Sequence, residues 1–446
     1  MGGRKKKTKV CDKVPVEDRI SQLPDSVIAE ILCHISTKDA VRTSVLSTRW
    51  RNLWESVPEL DISSYRFSSD VNSFVSFAER FFDPHMKSWV RKLRLSMSKS
   101  PDDKSFLNRW IDAVSTRRIQ HLDLRLYHFN SSDSILPLSI YTCQTLVHLQ
   151  LHHAILVNAE VVSLPCLKII HLEETTCPNE ATLEKLISGS PLLEDLTLIR
   201  FSKHIAKVLQ VRSQTLKRIR INESSAKVVI DAPLLQCLRT VIHSTKNFEI
   251  INLGFSTKLD INVLYGHGTT YRTSLIHGIL TDISRVRDLD INHYFWKEIF
   301  PYSKSGPVPQ FGNLSHLNSR FFVTDLEMLP TLLESCPKLE SLTLELIDPY
   351  MGSKTKKEPK VIFLTVPECL VSSLKLVAFK RSIPGNEGEI ELLRYLLKNS
   401  TILEKLKLDV YYTKKAECDF LKELLTMPRC SSTCEIHCSF IRKRYW

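Results

Sequence analysis

Residues 183–198, LEKLISGSPLLEDLTL, read as a helix, a stop and a strand in quick succession. Leu183, Leu186 and Ile187 fall on one helical face. Pro191 cannot continue that helix. Leu193, Leu196 and Leu198 then form an apolar triplet whose last two members alternate as in a strand. The same order returns at residues 329–344, LPTLLESCPKLESLTL. Working outward, the triplet recurs at Val90/Leu93/Leu95, Ile119/Leu122/Leu124, Leu146/Leu149/Leu151, Leu167/Ile170/Leu172 and Leu216/Ile219/Ile221. It appears again at Val286/Leu289/Ile291, Leu374/Val377/Phe379 and Leu403/Leu406/Leu408, with weaker copies near Leu235/Leu238, Leu259/Ile261 and Leu314/Leu317. One helix–strand unit cannot bury its apolar face alone, whereas stacked units share a continuous core under a parallel sheet. The fold class is therefore α/β, as a repeat solenoid.

Strand alternation also assigns the polar positions. Residues flanking the buried pair of each strand point to the opposite, concave face. His148, Gln150 and His152, then Arg218 and Arg220, then Asp288 and Asp290 stand out there as candidate target-binding residues. His121, Asp123, Arg125, His171, Glu173, Asp195 and Lys405 lie on the same face. A polar face of varying sign suits a protein or peptide, and would equally admit a small ligand. His148, His152 and His153 could suggest a metal site, but polar residues on an exposed strand face more often form a binding surface or nothing, and no metal is expected of them.

Composition narrows the function. The 446 residues are 43% hydrophobic and 25% charged, as in ordinary globular proteins. Glycine, at 12 residues, is under half its average usage, leaving little for phosphate-cradling loops. Gly266-His267-Gly268 reads as a plain loop, and the P-loop, dinucleotide, zincin and nucleophile-elbow motifs are absent. Neither an apolar run long enough to span a bilayer nor a secretory leader is found. An intracellular protein is expected, nuclear or cytoplasmic or both, its 12 cysteines reduced. Cys430, Cys434, His437 and Cys438 lack paired CxxC spacing, and alternation sets His437 opposite Cys434 and Cys438. The net charge of +12 is concentrated in Arg4, Lys5, Lys6, Lys7 and Lys9 and in Arg442, Lys443 and Arg444. Without those termini no basic groove remains, so nucleic acid is not an expected partner.

Residues 23–54, LPDSVIAEILCHISTKDAVRTSVLSTRWRNLW, form a different kind of unit. Pro24 suits a first helical turn, with Val27, Ile28, Ile31, Leu32 and Ile35 on one face. Thr37 is placed to cap a second helix carrying Ala40, Val41, Val45 and Leu46. Ser47 is placed to cap a third, with Trp50, Leu53, Trp54 and Val57 at i, i+3, i+4 and i+7. So much apolar surface exceeds what about 40 residues can bury unaided.

Leu23-Pro24, Ile28, Ile31-Leu32, Lys38-Asp39-Ala40-Val41, Ser44 to Ser47 and Arg49 to Trp54 resemble an F-box. The resemblance implies docking on a Skp-type adaptor and, through it, on a cullin. Leu23, Pro24, Ile28, Ile31, Leu32, Val41, Val45, Leu46, Trp50 and Trp54 are the anchors it suggests. The sequence departs from plant members at Ile35-Ser36, where Leu-Pro is usual; losing that proline should soften the stop between the first two helices. The triplets resemble the irregular leucine-rich repeats of plant F-box proteins, without the Asn or Cys that usually follows. Val366 to Leu370, Ser372 to Lys375 and Gly388 to Asn399 look like an FBD domain. The organisation expected is a basic tail (1–18), a short three-helix F-box (19–60), repeats (61–360), an FBD segment capping the array (361–440) and a second basic tail (441–446). The function implied is a non-catalytic, cofactor-free substrate-recognition subunit of a Skp–cullin–F-box ubiquitin ligase. The alternative is an adaptor-bound scaffold with no role in degradation.

Overall fold

The computed structural model describes residues 19–67, 70–83, 89–98, 105–127, 135–201, 208–222, 227–243, 248–253, 257–264, 286–296, 310–347, 365–382, 387–412 and 414–442. The basic tail at 1–18, the Gly266-His267-Gly268 loop and the last four residues lie outside them. The chain divides into two compact units, Met1–Asp133 and Ser134–Trp446. Among the described residues no helix is long and apolar enough to cross a membrane.

The first unit opens with α1 (Asp25–Cys33), which starts after Pro24 at φ −56°. Helix α2 (Thr37–Arg42) is capped by Ser36 and not by Thr37. The Ser36 hydroxyl accepts the Asp39 N–H at 3.2 Å and donates to the Asp39 carboxylate at 2.6 Å. Ser36 is extended, at φ −61° and ψ 148°, so a side-chain cap makes the stop that a proline would otherwise impose. Thr37 is buried and its hydroxyl accepts the Asp61 N–H at 2.7 Å, tying α2 to the first strand. The expected second helix passes into a 3-10 stretch at Thr43–Val45, and the third segment, Trp50–Ser56, is 3-10 rather than α and has no side-chain cap from Ser47. In 3-10 geometry positions i and i+3 eclipse, which stacks Trp50 over Leu53, both buried.

The unit continues through β1 (Glu59–Ser63), α3 (Val71–Phe82), β2 (Lys92–Met97), α4 (Phe106–Ser115) and β3 (His121–Leu126). Asp70 caps α3 by accepting the Asn72 and Ser73 N–H groups at 3.0 and 3.3 Å. The three strands are parallel, with Leu60, Leu93 and Leu122 in one row and Ile62, Leu95 and Leu124 in the next. Trp110 anchors the helix layer: it stacks on Phe82 at 4.8 Å and meets Phe106 edge-on at 4.9 Å. The F-box-like segment is thus part of a body that also holds the first repeats.

The second unit alternates strands with short connectors: β4 (His148–His152), β5 (Ile169–Glu173), α5 (Ala181–Ser188), β6 (Asp195–Ile199), β7 (Val208–Arg212), β8 (Arg218–Asn222), β9 (Lys227–Ala232), β10 (Cys237–His243), β11 (Phe248–Leu253) and β12 (Lys258–Leu264). It goes on through β13 (Asp288–Ile291), β14 (His316–Phe322), α6 (Leu329–Glu334), β15 (Ser341–Ile347), α7 (Glu368–Ser372), β16 (Leu376–Ser382), α8 (Glu387–Asn399), β17 (Lys405–Tyr412), α9 (Lys414–Thr426) and β18 (Glu435–Arg442). The main sheet runs β4-β5-β6-β8-β10-β12-β13-β14-β15-β16-β17-β18. Its pairs are parallel and in register, so Leu149, Ile170, Leu196, Ile219, Leu238, Leu259, Leu289, Leu317, Leu342, Val377, Leu406 and Ile436 form one row. Every member of the ten strong triplets is at most 2% exposed. The second row is apolar except at Thr240 and Ser319, both buried, and the Trp296 indole donates to the Ser319 hydroxyl at 2.6 Å. Those two residues are why their copies look weak in the sequence. Strands β16, β17 and β18 extend the same sheet.

Mid-array the connectors change type. Leu216 and Leu235 are closer in sequence than Leu167 and Leu193, and the shorter connector runs extended instead of helical. The three extended legs make a second parallel sheet, β11-β9-β7. Helix α5 ends at Gly189, where a Cβ would lie 2.6 Å from the Val162 carbonyl oxygen. Gly189→Ala should therefore lower stability by about 1–3 kcal/mol, the usual range for overpacking, despite alanine's higher helix propensity; urea unfolding measures it. Leu198→Ala should cost about 2–5 kcal/mol. A chain ending at residue 360 would leave the apolar side of β15 uncovered and should elute as aggregate in size-exclusion chromatography.

Candidate interaction surfaces

Helix α1 divides its apolar residues between two sides. Ile28 and Leu32 point inward, joining Ala40, Trp50, Leu53 and Val57 in a small core, with Leu23 and Trp54 packed against its edge. Trp54 also meets Phe81 of α3 edge-on at 5.2 Å. On the adjoining side Val27, Ile31 and Ile35 are exposed, as is Pro24. Val45 is 86% and Leu46 66% exposed in the turn that follows α2. Arg49 fixes that turn beside the start of α1, donating to the Leu23 carbonyl and pairing with Asp25 at 2.7 Å. The Trp50 indole donates to the Ser21 hydroxyl at 2.9 Å, so the same turn also holds the entry to the helix.

The ten suggested anchors thus fall into two classes. Ile28, Leu32 and Trp50 lie in the chain's own core. Leu23, Val41 and Trp54 are half-buried, whereas Pro24, Ile31, Val45 and Leu46 stand free. Val27 and Ile35 extend the free set. Helical periodicity marks the apolar stripe but not how much of it the protein covers itself.

In the second unit the polar side of the sheet carries an electrostatic lattice. His152, expected to face solvent with His148 and Gln150, is 8% exposed. Its Nδ1 lies 2.9 Å from Glu173 and its Nε2 is 2.8 Å from the Gln150 amide. Burial alone would raise the Glu173 carboxyl; His152, the Arg200 hydrogen bond and His171 outweigh it and hold the group below its usual range. His153, Glu174 and Arg200 end strands β4, β5 and β6 in the left-handed region, at φ 57°, 47° and 48°. Glu174 pairs with His153 at 3.0 Å and with Arg200 at 2.7 Å. Left-handed backbone costs a non-glycine residue roughly 1–2 kcal/mol, and each αL residue donates its N–H to a neighbouring strand-end carbonyl: His153 to Glu173, Glu174 to Ile199, Arg200 to Asn222.

Arg218 is exposed but engaged, its guanidinium 2.6 Å from Asp195. Arg220 is exposed and sits in register between Thr197 and Arg239. Arg239 pairs with the buried Asp260 at 2.6 Å, and Asp290 follows on the next strand. Asp288 lies 3.2 Å from His316. Asp290 is half-buried; burial, with Asp260 nearby, pushes its carboxyl up against the hydrogen bond from Asn318 at 2.6 Å. The face thus turns from basic to acidic across Arg220, Arg239, Asp260 and Asp290. On β18, His437 is exposed beside Glu435 at 3.1 Å while Cys438 turns inward. The described cysteines are free thiols, and burial pushes Cys336 and Cys369 up to about 12.

A carboxyl depressed in the folded state supports stability above its unfolded pKa, and that support is lost as pH falls through the folded value. Glu173, ordinarily 4.5, should therefore contribute to acid unfolding. Glu173→Gln should flatten the decline in stability from neutral pH to below pH 4.5, measured as urea midpoints across that range.

Family comparisons agree with this geometry. Residues 20–61 match the F-box domain model, residues 107–270 the model for the LRR repeats of FBD-associated F-box protein At5g56370, and residues 364–408 the FBD model. F-box/FBD/LRR-repeat protein At1g51370 of Arabidopsis thaliana is 60% identical, over 98% of this chain and 99% of its own length. F-box/FBD/LRR-repeat protein At5g53840 of the same plant is 48% identical over 96% and 98%. FBD-associated F-box protein At5g22730, also from Arabidopsis thaliana, is 39% identical over 94% of each chain. An N-terminal F-box, a leucine-rich-repeat sheet and a terminal FBD segment that extends it make this chain a member of the plant F-box/FBD/LRR-repeat family.

Proposed function

We propose that the protein is the substrate-recognition subunit of a Skp–cullin–F-box ubiquitin ligase, acting in the nucleus, the cytoplasm or both. The observation that carries the proposal is the free apolar set Pro24, Val27, Ile31, Ile35, Val45 and Leu46. Such a concentration of exposed apolar side chains within one short segment is characteristic of a protein-interaction site. F-box domains generally bind Skp1-type adaptors, and this is the surface an adaptor would cover. A cullin would join through the adaptor. Ile28, Leu32 and Trp50 serve the contact indirectly, by holding α1 and the turn at 43–49 in place.

The target would be held by the polar face of the second unit. A strip that runs from the exposed Arg220 to the half-buried Asp290 suits a peptide bearing an acidic and a basic side chain in the complementary order. The protein supplies no chemistry under this reading. It raises the local concentration of a target lysine beside the conjugating enzyme, and proximity does the rest.

Val45→Asp with Leu46→Asp should weaken adaptor binding by about 2 kcal/mol or more, as removal of interface anchors does, with the thermal midpoint unchanged. Titration calorimetry with a purified Skp-type adaptor measures it, and unchanged affinity would refute the docking surface. Recovery of adaptor without cullin in a pull-down would favour a non-degradative scaffold. Charge reversal at Arg220 should leave stability within roughly 0.5 kcal/mol and alter the proteins captured by the full chain. Arg218 is the poorer probe, because reversal there would set a carboxylate against Asp195.

A further inference from the structure

We propose that His152, His171 and Glu173 form a site for a divalent transition-metal ion, zinc by its ligand chemistry, on the polar face of β4 and β5. His171 and Glu173 are two residues apart on β5 and so project from the same side. Parallel register places His152 opposite Glu173 and Gln150 opposite His171. Three donors therefore converge from neighbouring strands. The Glu173 Oε2 is 2.9 Å from His152 Nδ1 and 3.8 Å from His171 Nε2, and the three ligand atoms lie within 4.8 Å of one another. Zinc with bonds of about 2.0–2.2 Å holds tetrahedral donors roughly 3.3 Å apart, a spacing these groups reach by small side-chain rotations.

The donor set selects the ion. Two imidazoles and one carboxylate suit zinc and its first-row neighbours, whereas calcium and magnesium require oxygen ligands. His171 and Glu173 keep about a quarter of their side-chain surface, 25% and 27%, which leaves a fourth position open to water or to a donor from a bound molecule.

Surrounding groups are arranged as supports. Metal on His152 Nδ1 leaves the proton on Nε2, 2.8 Å from the Gln150 amide; the amide oxygen can accept it once the group is turned over. Such an outer hydrogen bond fixes the tautomer of a metal-bound histidine. The other carboxylate oxygen, Glu173 Oε1, is held by Arg200 at 3.2 Å. Arg200 is shared with Glu174 at 2.7 Å, so two carboxylates face one guanidinium and the cluster retains negative charge for a cation. His153 belongs to Glu174 and lies outside the donor set. In sequence the three donors share a face; the strand register brings them together.

The test is metal titration of the chelator-treated full-length protein with Zn2+, and with Co2+ as a spectroscopic probe. The wild type should take up one equivalent, raise its thermal midpoint with Zn2+ and give a Co2+ d–d spectrum without a thiolate charge-transfer band. His171→Ala and Glu173→Gln should each abolish stoichiometric uptake while circular dichroism remains native. Gln150→Leu should weaken uptake by about tenfold or more, in line with other outer-shell losses. Cys434→Ser with Cys438→Ser should change nothing. Failure of the folded wild type to bind, or equal uptake by His171→Ala, would overturn the assignment. Should His171→Ala lose its fold, Glu173→Gln decides alone, since it keeps the carboxylate's shape and removes only its charge.

Discussion

The registered parallel pairing of the repeat strands is the constraint on which everything else rests. Each strand offers the sheet two buried side chains, and a one-residue slip in any strand would turn those two into solvent and bring charges inward. Leu149 through Ile436 line up without interruption because that penalty is applied at every step. The polar lattice on the other side is a by-product of the same alignment. His152 meets Glu173, and Arg239 meets Asp260, because the leucines between them leave only one register open.

Much of the architecture was legible in the sequence because this constraint is local and repeated. A triplet with a proline before it states its own position in the fold. What could not be read were the features that depend on two distant segments. The capping of α2 by Ser36 follows from its Asp39 contact, while Thr37, the better-looking cap, is drawn away by the Asp61 backbone. The division of the anchors into core and surface depends on how far Trp50 and Leu53 reach across α1. Thr240 and Ser319 broke the pattern on paper, yet they sit in the apolar row, the second satisfied by Trp296.

The polar face tells the same story for charge. Arg218 and Asp288 each read as free binding groups in one dimension, but neighbours in the sheet already engage them. Arg220 keeps its exposure because the residues beside it in register are a threonine and an arginine that Asp260 has claimed. Strand order therefore decides which charges are structural and which are available to a partner.

The bond from the Thr37 hydroxyl to the Asp61 backbone has a mechanical consequence. Together with the Asp39–Arg66 pair at 3.2 Å and the Lys38 ammonium 3.9 Å above the Phe67 ring, it braces α2 against the start of the first strand. Here the joint is clamped by side chains from both segments, so torque applied to α2 is passed directly to β1 within the first unit.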